Sequence, residues 1–344
     1  MKPYASGIYH LLGAPNDNFW NGIQNKVTMT KPWCDGYRGR TTLGKIMPSI
    51  NGPLDLSGPD SAVAVCRANG KKLSLSVSMG FTLPADFYTA DPVSTPFAVH
   101  DAHGNTFNIP LPWEEAHLRK LAPVIAALGR KYDPDPVISA VFTTGYQDIV
   151  ECHVLDTNAD YAAYSLAAVN YGFLTVDFAW LPIAKKLIDL WCKAFPTTPV
   201  MFTAGNPWGG QGNGSALEDE LQDYITDTYP EHGGLCSSFL HAKLTHTGVP
   251  AVHTYPVGDQ AISGSSDDSR FYSPAMPGTQ PPAPQPVDDL IKNGYDQGDN
   301  YIEIYDADIT NSVNWGVIES GRELLLSTVP ETHRGGHATL TVIP

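Results

Sequence analysis

Short apolar, β-branched runs alternate along the chain with longer segments whose apolar residues recur every three or four positions. The clearest run, residues 137–142, reads Val-Ile-Ser-Ala-Val-Phe and suits a strand buried on both faces. Gly145 breaks it, and a polar loop follows that carries Asp148 and Glu151. Over residues 72–79, Leu73, Leu75 and Val77 alternate with polar side chains, the period of a strand. Residues 300–306 put Tyr301, Glu303 and Tyr305 on one strand face. Weaker strand signals lie at 7–13, 34–43, 199–204, 236–244 and 250–257, which brings the ordered total to eight.

Between the strands the period lengthens. Residues 112–132 hold Trp113, Leu118, Leu121, Ile125 and Leu128 on one helical face, and 177–195 do the same with Ile183, Leu187, Leu190 and Trp191. Further helices are predicted over 60–69, 161–171, 216–228, 287–293 and 312–328, the first of them stopped by Gly70. Strand-helix alternation implies parallel strands joined by right-handed crossovers. Eight such units predict a (β/α)8 TIM barrel of the α/β class. A chain of 344 residues suits one such barrel with long βα loops. The expectation is therefore a single barrel domain over 1–344, with the Pro-rich stretch 280–286 inside one loop.

Charge narrows the partners. The net charge is -15 and no Lys/Arg run occurs, which argues against nucleic acid and acidic membranes and is compatible with a neutral ligand. No 18-residue apolar run predicts a transmembrane helix. The first residues lack the apolar centre of a signal peptide, although secretion or a periplasmic location stays open. Cys34, Cys66, Cys152, Cys192 and Cys236 are irregularly spaced with no C-x-x-C pair, so buried thiols are expected rather than a zinc site. His241, His246 and His253 lack H-x-x-x-H spacing, and the Gly-rich stretch 209–214 lacks the Lys of a P-loop. No metal and no cofactor are expected, and the oligomeric state is left open.

In a barrel of parallel strands the chemistry sits at the C-terminal ends. Glu151 follows the fourth strand and is the candidate proton donor, with Asp148 next in line. Glu303 on the eighth strand is the second candidate. A charged side chain in an apolar strand needs a partner, and Arg38 or Arg40 on the second strand could supply it as a purely structural pair. Trp208, in a Gly-rich loop, and Trp20, in the loop after the first strand, are candidate platforms for a flat apolar ligand face. Arg40, His253 and Tyr255 complete the expected binding set.

The landmarks together resemble glycoside hydrolases of the large (β/α)8 clan, in the manner of the family 42 β-galactosidase-like enzymes. They are an aromatic loop around Trp20, an Arg-bearing second strand, the Gly80-to-Pro84 loop after the third strand, Glu151 after the fourth, and Tyr-Ile-Glu-Ile-Tyr over 301–305. That clan ends its fourth strand in Asn-Glu, where this chain has Val150-Glu151. It ends its seventh strand in a nucleophilic Glu, where this chain has Asp259. The resemblance implies a retaining glycosidase that cleaves a β-glycosidic bond in a neutral carbohydrate, with Glu151 as its acid/base; Glu303 is the expected second carboxylate, and Asp259 is the alternative nucleophile by its position at strand seven. A carbohydrate-binding barrel without the usual nucleophile is the alternative.

Overall fold

The structure, a computed structural model, describes residues 1–3, 5–11, 23–80, 82–100, 104–146, 154–155, 157–208, 211–240, 257–261, 287–296 and 298–328. In chain order its strands are β1 (Gly7–Leu11), β2 (Gly36–Thr42), β3 (Lys72–Ser78), β4 (Pro96–His100), β5 (Thr106–Pro110), β6 (Ile138–Phe142), β7 (Val200–Ala204), β8 (Gly233–Leu240), β9 (Val257–Ala261) and β10 (Tyr301–Tyr305). Eight of them form a closed barrel in the order β1-β10-β9-β8-β7-β6-β3-β2, and β4 and β5 form a separate hairpin. Every barrel pair is parallel, including the closing one, in which Gly7 lies beside Tyr301 and Leu11 beside Tyr305. The expected TIM barrel is the fold found.

Strand alternation divides the core into two layers. On β3, Leu73, Leu75 and Val77 point outward into the large apolar shell between strands and helices. The alternate residues Ser74, Ser76 and Ser78 point inward, and the Ser74 hydroxyl lies 2.9 Å from the Tyr301 hydroxyl across the barrel interior. Tyr9, Ala140, Phe142, Met201, Cys236 and Tyr301 pack as the apolar part of that interior. It is a filled core and not a pore.

The helices Asn158–Asn170 and Val176–Ala194 begin at threonines whose side chains accept a backbone N–H, Thr157 from Asp160 and Thr175 from Phe178. The apolar pattern alone started these helices later, because it cannot see a cap. The helix Glu115–Tyr132 packs on Val176–Ala194 through Gly129, where an added Cβ would fall 2.1 Å from the Ala194 carbonyl oxygen. Gly to Ala within a helix normally stabilises by up to ~1 kcal/mol. Here backbone meets backbone, so Gly129→Ala should destabilise by about 1–3 kcal/mol through overpacking, measured by urea unfolding.

Three features differ from the sequence expectation. The β4–β5 hairpin between β3 and the Glu115–Tyr132 helix has no counterpart in it, since the alternation is short, with only Phe97 and Val99 on one strand and Phe107 and Ile109 on the other. β8 begins at Gly233, three residues before the apolar run at 236. Gly233 fits because a Cβ there would come 2.7 Å from the Ile225 carbonyl oxygen. The strand expected at 250–257 is found as β9 at Val257–Ala261, whose Val-Gly-Asp-Gln-Ala sequence gave no apolar signal; residues 250–256 lie outside the described residues.

Candidate active site

Alternation on β10 turns Tyr301 and Glu303 inward and leaves Ile302 and Ile304 to the outer shell. On β2 the inward residues include Arg38 and Arg40, in register with Ser74 and Ser76 of β3. Both arginines share one face, so alternation alone cannot choose between them as partner to Glu303; depth does. Arg38 Nη1 donates to Glu303 Oε1 at 2.5 Å, with the Arg38 side chain 2% and the Glu303 side chain 0% exposed. Arg40 lies two residues nearer the C-terminal mouth and is buried.

Glu303 Oε1 accepts a second hydrogen bond, from the Tyr301 hydroxyl. Tyr301 has one proton and gives it to Glu303, so Ser74 Oγ, 2.9 Å away, donates to the Tyr301 oxygen. The Arg38 guanidinium also stacks 3.1 Å from the centroid of Phe142 at the end of β6, two strands away around the barrel. Burial by itself would lower the Arg38 pKa, but the surrounding groups, the Glu303 carboxylate first among them, together leave it above the ordinary arginine value. Burial, and then the neighbouring Glu303 charge, hold the Tyr301 proton on far above the ordinary tyrosine range.

One oxygen of this carboxylate is left over. Glu303 Oε2 is buried and has no hydrogen-bond partner among the described residues, and neither do the Ser76, Ser78 and Thr203 hydroxyls. Ser76 and Ser78 sit nearer the mouth than Ser74 on the same inward face of β3. Thr203 alternates inward with Met201 on β7. A leftover carboxylate oxygen below a set of unpaired hydroxyls is a polar lining that a ligand hydroxyl could satisfy.

Strand order places β6 four strands from β10 on an eight-strand barrel, so the loop after β6 leaves the wall opposite Glu303. Glu151 and Asp148 belong to that loop and lie outside the described residues, as do Trp20, His253 and Tyr255. Just beyond them, the backbone N–H groups of Val154 and Leu155 donate to the Pro207 carbonyl at 3.0 and 3.2 Å, which ties this loop to the one after β7. Asp259 stands on β9 in register with Ile302, whereas the residue in register with Glu303 is Gln260.

Trp208 is in the packed shell, with no exposed surface. Its ring meets Trp180, Tyr161 and Tyr164 at centroid distances of 5.3, 5.8 and 6.1 Å, and its Nε1–H donates to Asp177 Oδ1 at 2.9 Å. Sequence reasoning missed Tyr301 and Ser74 as supports of Glu303. The signal was available in the inward parity of β10 and β3, but no local pattern shows which inward residues meet across a barrel.

Among the described residues no group of three or more His, Cys, Asp or Glu converges to hold a metal ion. No helix among them is long and apolar enough to cross a membrane. Cys34, Cys66, Cys192 and Cys236 are buried and form no disulfide among the described residues.

No protein-family model matches the chain, and comparison with curated proteins finds no match in sequence. Solved structures do match in shape. The catalytic domain of a β-amylase from Paenibacillus polymyxa aligns over 95% of this chain and 100% of its own, with a TM-score of 0.59 and 9% identity. A β-galactosidase from Marinomonas ef1 and one from Halorubrum lacusprofundi each align over 87% of this chain with a TM-score of 0.51 and 11% identity. This chain spans 53% and 52% of those two, so it matches about half of each. At these identities the likeness is one of fold.

Proposed function

We propose that the chain is a retaining glycoside hydrolase that cleaves a β-glycosidic bond in a neutral oligo- or polysaccharide at the C-terminal mouth of its barrel. The observation that carries this is Glu303, a carboxylate fixed by Arg38 and Tyr301 on the inner wall with one oxygen unpaired. Glycoside hydrolysis develops positive charge on the sugar ring, and an anionic carboxylate held in a water-poor site stabilises that charge or attacks it. Glu151, from the loop opposite, is assigned the proton for the leaving oxygen. The unpaired hydroxyls of Ser76, Ser78 and Thr203, with Arg40 beside them, suit the hydroxyls of a neutral sugar. The chain shares its fold with proteins described as a β-amylase and two β-galactosidases, although a barrel by itself selects no chemistry.

The test is turnover of a panel of aryl β-glycosides and neutral β-linked oligosaccharides. Glu151→Gln keeps shape and removes the proton. It should cut turnover by at least ~100-fold without changing the unfolding midpoint. Parent-level turnover in that variant removes Glu151 as donor and moves the role to Asp148. The anomer first released, followed by NMR, separates retention from inversion.

One observation favours a second reading. Glu303 and Arg38 are both sealed from solvent, as a purely structural ion pair would be. The barrel would then bind carbohydrate without cleaving it, and substitution of Glu303 would alter stability but no turnover.

A further inference from the structure

We propose that the cavity at the opposite, N-terminal end of the barrel is a binding site for a small phosphate-bearing anion. The cavity encloses about 520 Å³, within the range of small-ligand sites, and is lined by residues that precede or begin β1, β2, β3 and β6. Four cations reach it, Lys2, Lys71, Lys72 and Arg322, against one acid, Asp35. In a chain of net charge -15 this is a local reversal of sign.

The one acid is already engaged. Asp35 takes the Arg322 guanidinium on both oxygens, with Nε at 2.9 and 3.0 Å and an Nη2 contact at 2.8 Å. Among the described residues the three ammonium groups donate to backbone carbonyls alone. Lys2 Nζ donates to Asp135 O at 2.6 Å and Ile138 O at 3.1 Å, and Lys72 Nζ to Pro136 O at 2.9 Å. Lys71 Nζ donates to Lys31 O and Cys34 O, both at 2.6 Å. Carbonyl dipoles satisfy hydrogen bonds but neutralise no charge. The acids that act on Lys2 from outside, Asp133 and Asp135, are themselves held, Asp133 by Thr197 and Thr198 and Asp135 by Arg67. Burial lowers the Lys2 ammonium to about 8, and the charges of Asp133 and Asp135 offset that only in part. Each ammonium has three donors and at most two are used here, so every lysine keeps one for a ligand oxygen. Phosphate offers several acceptor oxygens and the charge to meet three lysines.

The experiment is calorimetric titration of the full chain with inorganic phosphate and, separately, glycerol phosphate, at pH 7 and constant ionic strength. Saturable one-to-one binding is expected. Lys2→Met combined with Lys72→Met should weaken it at least tenfold, while Lys2→Arg with Lys72→Arg, which keeps the charge, should retain it. Lys186→Met, exposed on the Val176–Ala194 helix, should change nothing. Tighter binding of glycerol phosphate assigns the site to an organic phosphate, and tighter binding of inorganic phosphate assigns it to the free ion; either supports the proposal. It is overturned if the parent binds neither, if the Met pair binds like the parent, or if Arg40→Met at the other end of the barrel is the variant that abolishes binding.

Discussion

Glu303→Gln should destabilise the fold by about 3–5 kcal/mol and also lower turnover by at least ~100-fold. The stability loss comes from Arg38. Its guanidinium is buried against Phe142, and its charge is met by Glu303 at 2.5 Å. A neutral amide leaves that charge uncompensated in a low-dielectric interior, and the guanidinium cannot shed its proton to escape. The Tyr301 hydroxyl would lose its charged acceptor as well. Stability and chemistry can be separated by replacing both partners. Arg38→Met with Glu303→Leu removes the charges together, and replacement of a buried pair by apolar residues is often neutral or better. That double variant should regain most of the lost stability by urea unfolding. If Glu303 acts on the substrate, its turnover should stay at the level of Glu303→Gln. If a substrate is found and the stable double variant turns it over like the parent, the pair is structural and the carboxylate that acts on the substrate is not Glu303.

What could be read from the sequence was whatever repeats locally. Leu73, Leu75 and Val77 facing one way and Ser74, Ser76 and Ser78 the other is a pattern of period two. It gave β3 and its two faces directly. Tyr-Ile-Glu-Ile-Tyr gave β10 and the inward direction of Glu303 by the same parity. Parity also named the two arginines that could meet it, and stopped there. Arg38 and Arg40 differ only in depth along β2, and depth is fixed by the register of β1, β2 and β10 around the closed barrel, a property of the whole sheet. β9 carries no local signal for a related reason. Its five residues are mostly small or polar, and they become a strand because β8 and β10 present ladders on both sides. The cationic cavity at the other end was no more legible. Lys2, Lys71 and Arg322 are far apart in the chain, and only barrel closure brings them together.

Trp208 is the clearest case of context overriding composition, and Trp208→Ala should cost about 3–5 kcal/mol of stability. A Trp among glycines reads as exposed, because the neighbours in sequence offer nothing to cover it. The cover comes from elsewhere: Tyr161 and Tyr164 of the Asn158–Asn170 helix and Trp180 of Val176–Ala194 surround the ring. Truncation would empty an indole-sized volume between the Asn158–Asn170 helix and the Val176–Ala194 helix, and the second of these is held in place by β7 and by the Glu115–Tyr132 helix. It would also take a donor from Asp177, which accepts from Trp208 Nε1 at 2.9 Å and from Asn213 Nδ2 at 3.2 Å. Trp208→Phe loses the N–H and part of the indole but keeps an aromatic ring in place, and should cost roughly 1–3 kcal/mol, less than the alanine variant because the cavity is smaller. Urea unfolding of both variants measures this directly. A sugar-stacking platform open to solvent would behave in the opposite way, with Trp208→Ala folding as stably as the parent and losing ligand affinity instead. A stability loss under ~1 kcal/mol in Trp208→Ala would return the residue to that role.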